Sequence, residues 1–314
     1  MTDTTPLKER ASSPQRVPSR QGGLLVGLLR VARPKQWMKN VLVIAAPSAA
    51  GQLLSVHALT RLALVFVLFT ASSAAVYLIN DARDAEADRA HPTKRHRPVA
   101  AGQVPVAVAY AVGGGLAVLA PVAAAVLAPP LVAAVLAVYL GMQLAYCVSL
   151  KHVLIFDLVV VTTGFLLRAV IGGLALDIPL SRWFLITTGF GALFMVSAKR
   201  YSEAVQMEGK AGATRALLTE YTIDYLRFVW QMAAGVAVLA YCLWTLEGSN
   251  LPHTGVLPWR QLSMVAFVLA ILRYAVFADR GTAGEPEDVV LRDRVLAVIG
   301  VVWLTMYGLA VANR

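Results

Sequence analysis

The sequence predicts an all-α, polytopic membrane protein with nine transmembrane helices in a bundle. Composition is the first reason: 58% of the 314 residues are hydrophobic, 15% are charged and the mean hydropathy is positive, well outside soluble-globular averages. The second is that apolar segments of roughly 18 to 24 residues, enough to cross a ~30 Å hydrocarbon core, follow one another along the chain. The third is the placement of Lys and Arg, which gather in alternate inter-span segments, as the positive-inside rule requires of a multi-pass protein.

Taken in order, residues 1–23 are rich in Ser, Pro, Thr and Arg and lack apolar periodicity. They read as a disordered cytoplasmic tail and have neither the short apolar core nor the cleavage site of a secretory signal. Residues 24–314 are expected to form one transmembrane domain. Its spans fall near 38–56, 61–79, 104–127, 130–149, 153–175, 182–199, 223–246, 260–278 and 292–312. The first is the weakest, because Pro47 and Gly51 interrupt it.

With the N-terminus inside, 22 of the 28 Lys and Arg residues lie on the inner side, in 1–39, 81–103, Lys151, 199–227 and 280–294. Arg61, Arg182, Arg260 and Arg314 lie outside, and Arg168 and Arg273 fall within spans. This bias places the N-terminus and the polar motifs on the cytoplasmic side of the cell's inner (plasma) membrane. It accounts for the net charge of +10 through anionic lipid and anionic substrate rather than nucleic acid, and no groove-reading motif is present. Cys147 and Cys242 are isolated within apolar spans and define neither a metal site nor a disulfide framework.

The most informative segment is NDARDAEAD, Asn80 to Asp88, which closes the second span and runs into HPTKRHRPVAAG. On a helix, Asp81, Asp84 and Asp88 fall within roughly 60° of one another and Asn80 widens the arc to about 100°, while Glu86 points elsewhere. Carboxylates so presented suit Mg²⁺, a hard cation usually shared with substrate phosphates, and a diphosphate substrate follows. The alternative is a solvated acidic helix end balanced by Arg83 and Arg89.

Two further clusters belong to the same side. In RPKQWMKN, Arg33 to Asn40, a helix after Pro34 pairs Lys35 with Lys39 and Gln36 with Asn40 at i,i+4. That face either grips phosphate or anchors the chain at the interface, with Trp37 at headgroup level. In SAKRYSEAVQMEGK, Ser197 to Lys210, Lys199 and Arg200 lie four and three residues from Glu203, an arrangement that also suits a plain ion-paired helix end. Asp157, Gly164 and Arg168 share one face of the fifth span, which is expected to line the bundle interior. Arg168 is too far along that helix to pair with Asp157 and calls for another partner. The loop Gly281 to Arg294 offers Glu285, Glu287, Asp288 and Asp293, either as ribose or metal contacts or as a turn and helix start at Pro286. Tyr221, Asp224 and Arg227 are candidates for a segment closing over the site.

NDxxDxxxD after the second span, followed by HPxKxxRPxAxG, resembles the UbiA superfamily of intramembrane prenyltransferases. Within it, RPKQWMKN, the NDARDAEADRAHPTKRHRPVAAG block, LKHVLIFDLVVVTTGFLLRAVIGG and KRYSE resemble the branch that moves phosphoribose onto a polyprenyl phosphate. Aromatic-acceptor members carry a second aspartate-rich motif between the sixth and seventh helices, where this chain has KRYSEAVQME. Fewer metal ligands and more cations suit phosphoribosyl pyrophosphate, which bears a 5-phosphate besides its diphosphate.

The resemblance implies Mg²⁺ on Asp81, Asp84 and Asp88, with Asn80 as an auxiliary ligand or ribose contact. It implies donor phosphates on Lys94, Arg95 and Arg97, and the remaining phosphate groups on Lys35, Lys39, Lys199 and Arg200. Asp157, Arg168, Tyr201 and Glu203 complete the candidate binding set. The rival readings are an aromatic-acceptor polyprenyltransferase, disfavoured by the missing second motif, and a non-enzymatic polyprenyl-lipid carrier, disfavoured because charge is concentrated on one side and no internal repeat is found. A homo-oligomer is compatible with the sequence, though no motif demands one.

Overall fold

The computed structural model describes residues 23–207, 220–247 and 257–312. The tail expected over residues 1–23 lies outside the described residues except for its last position, as does Lys210 at the end of the third basic cluster. The described chain is helical throughout: α1 (Leu24–Val31), a 3₁₀ segment (Pro34–Ile44), α2 (Ala45–Ala50), α3 (Val56–Arg83), α4 (Ala85–Ala90), α5 (Val106–Leu127), α6 (Pro130–Val148), α7 (Phe156–Ala175), α8 (Arg182–Met207), α9 (Ile223–Glu247), α10 (Trp259–Asp279), α11 (Pro286–Arg292) and α12 (Arg294–Ala312).

Among the described residues seven helices, α3, α5, α6, α7, α9, α10 and α12, are long and apolar enough to cross a membrane. The protein is therefore a multi-pass membrane protein. The sequence count of nine also includes α8 and the segment before Gly51. α8 has the length, but Arg182 at one end and Lys199, Arg200 and Glu203 at the other make it more polar. The first expected span departs further, being a 3₁₀ segment followed by one short α-helix that Gly51 ends in the left-handed region at φ 74°. In a 3₁₀ helix of three residues per turn, residues four apart lie about 120° apart. The shared face expected for Lys35 and Lys39 is consequently not formed: Lys35 is exposed, and the Lys39 ammonium sits 5.8 Å from the centre of the Phe165 ring.

Local signals fix the helix starts. The Ser55 hydroxyl accepts the Ala58 N–H at 3.0 Å and caps α3 a turn earlier than apolarity alone indicates, because a side-chain oxygen satisfies an otherwise orphan amide. Pro130 and Pro286 occupy the first positions of α6 and α11, where a missing N–H costs nothing. Asp293 caps α12 through the Leu296 N–H at 2.7 Å. The Arg273 guanidinium on Asp293, at 2.6 Å, holds its carboxyl below the usual carboxylate range.

The two largest apolar cores share α7. One joins α3, α5, α6 and the 3₁₀ segment around Phe69, Leu136, Tyr139 and Ile171; the other joins α8, α9 and α10 around Leu158, Phe194, Tyr201 and Trp230. Arg168 ties the first together. Its Nε donates to Asn40 Oδ1 at 2.8 Å, Nη1 to the Gly164 carbonyl at 2.6 Å and Nη2 to the Tyr139 and Ser73 hydroxyls at 3.2 and 3.4 Å. The rings of Phe69, Tyr139 and Phe165 surround the guanidinium at 4.8 to 5.7 Å, a setting in which ring faces stabilise a desolvated cation. These are the partners the sequence left open, and they bind four helical segments into one unit.

The 3₁₀ segment and α7 meet backbone to backbone at Gly172, where a Cβ would stand 1.7 Å from the Val43 carbonyl oxygen. Gly172→Ala should lower stability by about 1–3 kcal/mol or more, because that carbonyl cannot yield as a side chain can. Gly189, whose added Cβ meets Leu166 at an ordinary 3.9 Å, should accept alanine without loss. Thermal unfolding of the two variants in the same detergent checks the contrast.

Candidate active site

The acidic motif sits where α3 breaks. The helix ends at Arg83, Asp84 takes φ −85° and ψ 3°, and α4 begins at Ala85. The Asp84 N–H still donates to Asn80 and the Asp88 N–H to Asp84, so the chain turns without losing the helical spacing. The loop after α4 folds back because Val99 and Val104 are buried with Val31, Leu78, Ala82 and Ala85. That burial brings the following cation, Arg97, over the aspartates.

Three carboxylates meet three cations there. Arg97 Nη1 donates to Asp88 Oδ2 at 2.8 Å and to Asp81 Oδ1 at 3.4 Å, so a single nitrogen stands between two carboxylates. Arg33 Nη2 donates to the same Asp81 oxygen at 2.8 Å, with its guanidinium 4.7 Å from the Tyr77 ring centre. Lys151, in the loop between α6 and α7, donates to both oxygens of Asp84 at 3.1 Å. Asp81 and Asp88 are nearly inaccessible, whereas Asp84 and Lys151 are about a quarter exposed. Two buried carboxylates need compensation of this kind, since an unpaired charge out of water costs several kcal/mol.

The structure therefore brings Asp81 and Asp88 together and sets Asp84 apart on its own lysine. Among the described residues no three His, Cys, Asp or Glu side chains converge as a ready-made metal centre. The donor set still fits a hard cation: the Asp81, Asp84 and Asp88 carboxylates and the Asn80 amide all offer oxygen, and two of the carboxylates already converge on one positive charge. Mg²⁺ is commonly held by one or two carboxylates, with phosphate oxygens and water completing its shell.

Asn80 is half-buried beside the pair, and Glu86 faces out. Lys35 and Arg95 are exposed and Lys94 half-buried. The other predicted residues form a second polar group on α7 and α8. Arg200 grips Asp157 through Nε at 2.9 Å and Nη2 at 3.3 Å, and its Nη1 donates to Glu203 at 2.9 Å. The Tyr146 hydroxyl adds a 2.5 Å bond to Asp157. Arg200 and Asp157 are both buried, so this is an internal lock between the helices. Lys199 reaches Glu285 at 3.3 Å and Glu203 at 4.0 Å, which ties the loop after α10 to α8. Tyr201 is buried in the second core and its hydroxyl accepts from Arg227 at 2.7 Å. Asp224 is exposed. The Tyr221 hydroxyl accepts the Ile155 N–H at 2.7 Å, and burial pushes that hydroxyl above its ordinary range.

Sequence reasoning missed Arg33 and Lys151. Arg33 precedes Pro34 and lies outside a helix face that starts at that proline; its left-handed backbone, φ 53°, turns it toward Asp81. Lys151 carried no local signal, since Asp84 lies 67 residues away.

The UbiA prenyltransferase family profile matches residues 41–296. The chain is similar to the decaprenyl-phosphate phosphoribosyltransferase of Mycobacterium tuberculosis, 49% identical over 293 residues that cover 92% of this chain and 95% of that protein. It is also similar to the protein of the same name from Mycolicibacterium smegmatis, 44% identical over 318 residues, covering 98% and 99%. A UbiA homolog from Archaeoglobus fulgidus, solved bound to GPP and Mg²⁺, superposes with a TM-score of 0.64 at 15% identity over 92% of this chain and all of that one.

Asp157→Ala should strand the Arg200 guanidinium in a buried position and cost about 3–5 kcal/mol. Glu203→Gln, at a quarter-exposed partner, should cost no more than about 1 kcal/mol. Thermal unfolding in detergent checks this; equal shifts for the two variants would show that Asp157–Arg200 is not the lock between α7 and α8.

Proposed function

The chain belongs to the UbiA prenyltransferase family, and from that premise we propose that it transfers 5-phosphoribose from phosphoribosyl pyrophosphate to a polyprenyl phosphate of the decaprenyl kind, with release of pyrophosphate. The reading is supported by near-full-length likeness to proteins bearing the phosphoribosyltransferase name. The observation that carries it in the structure is the charge pattern: the buried Asp81 and Asp88 pair is held by Arg33 and Arg97, Asp84 is held by Lys151, and the exposed or half-buried Lys35, Lys94 and Arg95 stand close to these arginines in sequence, beyond the charges that the carboxylates balance. Such a surplus of cations suits a donor carrying three phosphoryl groups. The transfer serves arabinan precursor synthesis for the cell wall, and residues 24–314 act as one catalytic unit.

The reaction breaks the bond between the ribose anomeric carbon and pyrophosphate and forms one to an oxygen of the lipid phosphate. That oxygen is already anionic at neutral pH, so the protein needs no general base. Inversion at the anomeric carbon follows from attack opposite the leaving group. The chief demand on the protein is to stabilise charge on the departing pyrophosphate. Asp81 and Asp88 would hold Mg²⁺, with Asp84 adjoining, and the ion when bound supplies Lewis-acid charge to the pyrophosphate. Arg33 and Arg97 are freed to turn from carboxylate to phosphate, while Lys35, Lys94 and Arg95 have no carboxylate partner among the described residues and meet the outer phosphates. Asn80 faces the ribose. The Lys and Arg bias supports a site on the cytoplasmic face of the plasma membrane, with the lipid tail leaving sideways between helices, out of water.

Membranes containing the protein, given radiolabelled phosphoribosyl pyrophosphate, polyprenyl phosphate and Mg²⁺, should yield a labelled, solvent-extractable lipid. A chelator should abolish it, and Asp81→Ala or Asp88→Ala should each lower the rate by on the order of 10² or more. No labelled lipid from folded protein, together with product from a prenyl diphosphate and an aromatic acid, would replace this assignment with the aromatic-acceptor one.

A further inference from the structure

Among the described residues three that are not glycine take a positive φ, Arg33, Ile155 and Asp177, and of these Ile155 alone is β-branched. At φ 70° and ψ −46° the chain closes on itself there, with the Phe156 N–H donating to the Leu154 carbonyl at 2.8 Å. This is a γ-turn of the rare, strained hand, and a branched Cβ makes it costlier still. Such a turn persists where its surroundings impose it. Apolar burial does not impose this one, because Val153, Leu154, Ile155 and Phe156 are all exposed. The direct hold is the Ile155 N–H, which donates to the Tyr221 hydroxyl at 2.7 Å. Tyr221 is itself anchored: it is buried in the second core with Leu158 and Leu226, and its ring stacks on Tyr225 at 5.8 Å.

We infer that Tyr221 is a positioning residue for the reaction: by holding the turn at Ile155, it fixes the loop between α6 and α7 against the acidic end of α3. The inference rests on the function proposed above. Two ion pairs flank the turn. On one side Lys151 meets Asp84 at 3.1 Å, and on the other Asp157 meets Arg200 at 2.9 Å. The Asp157 pair is buried and secures the start of α7, whereas the Lys151 pair is about a quarter exposed on each side, and a partly solvated pair holds weakly. The loop therefore depends on the turn for its direction. With the Tyr221 bond removed, Ile155 relaxes toward negative φ, the residues before it pivot away from α7, and Asp84 loses the partner placed against it. Tyr221 lies 66 residues beyond Ile155 in the chain, so a single hydrogen bond couples the start of α9 to the site at the end of α3.

Tyr221→Phe removes the acceptor and keeps the ring. In detergent-solubilised full-length protein, amide hydrogen exchange read by mass spectrometry should be about tenfold faster in peptides covering residues 150–157, roughly the worth of one hydrogen bond, with peptides from α5 and α10 unchanged. In the phosphoribosyl transfer assay the variant's KM for phosphoribosyl pyrophosphate should rise about fivefold to tenfold, with KM for polyprenyl phosphate unchanged. Ile155→Gly takes a positive φ without strain; alone it should leave the kinetics near wild type, and added to Tyr221→Phe it should restore most of the lost donor affinity. Wild-type exchange in Tyr221→Phe, equal changes in both KM values, or a loss that Ile155→Gly does not repair overturns the inference. Faster exchange in Tyr221→Phe, with no phosphoribosyl transfer even by the wild-type protein, would keep the clamp on the turn and overturn its role in that reaction together with the reaction itself.

Discussion

Two carboxylates buried at the end of a membrane helix have to be matched by positive charge, and the arrangement around α3 follows from that requirement. Asp81 and Asp88 lie on either side of one Arg97 nitrogen, and Arg33 takes the remaining approach to Asp81. To deliver those two guanidiniums, the chain before α3 must turn through a left-handed Arg33 and the chain after α4 must fold back under Val99 and Val104. The apolar contacts of these segments with Leu78, Ala82 and Ala85 therefore serve the site as well as the fold. A cluster built this way is electrically balanced within the protein, and the proposed function has it exchange its internal cations for a metal and a phosphate.

The rest of the bundle holds that end in place. α7 belongs to both apolar cores, and its two charged residues work at different depths. Arg168 fastens α7 to α3, α6 and the 3₁₀ segment by hydrogen bonds and ring contacts with neutral groups, while Asp157 fastens it to α8 through Arg200. Ionisable residues inside a membrane protein are costly and persist where a partner compensates them. Both residues fit a framework role, which in the proposed reaction leaves the substrate phosphates to Arg33 and Arg97 and to the exposed or half-buried Lys35, Lys94 and Arg95.

Much of this was legible from the sequence because its causes are local. Apolar length places α5, α6, α7, α9, α10 and α12 to within a few residues, and the Lys199, Arg200 and Glu203 spacing gives their ion pairs directly. The i, i+3, i+7 run of aspartates identifies the acidic motif. It does not show that α3 breaks at Asp84, or that the carboxylates divide into a pair and a single, since that depends on cations drawn from positions 33, 97 and 151. The 3₁₀ conformation of Pro34–Ile44 was equally hidden, because no periodicity announces it and the close approach of Val43 to Gly172 joins positions far apart in sequence. Tyr201 shows the limit of motif reading: it stands between charged residues in sequence but points into the second core.

The central claim is that the Arg97 position between Asp81 and Asp88 is the place where metal and pyrophosphate are received. An experimental structure of the protein with Mg²⁺ and phosphoribosyl pyrophosphate tests it most directly. The account predicts a metal ion coordinated by Asp81 and Asp88, with the Arg97 guanidinium moved onto a phosphate oxygen. Donor bound while Arg97 still joins the two carboxylates would contradict it.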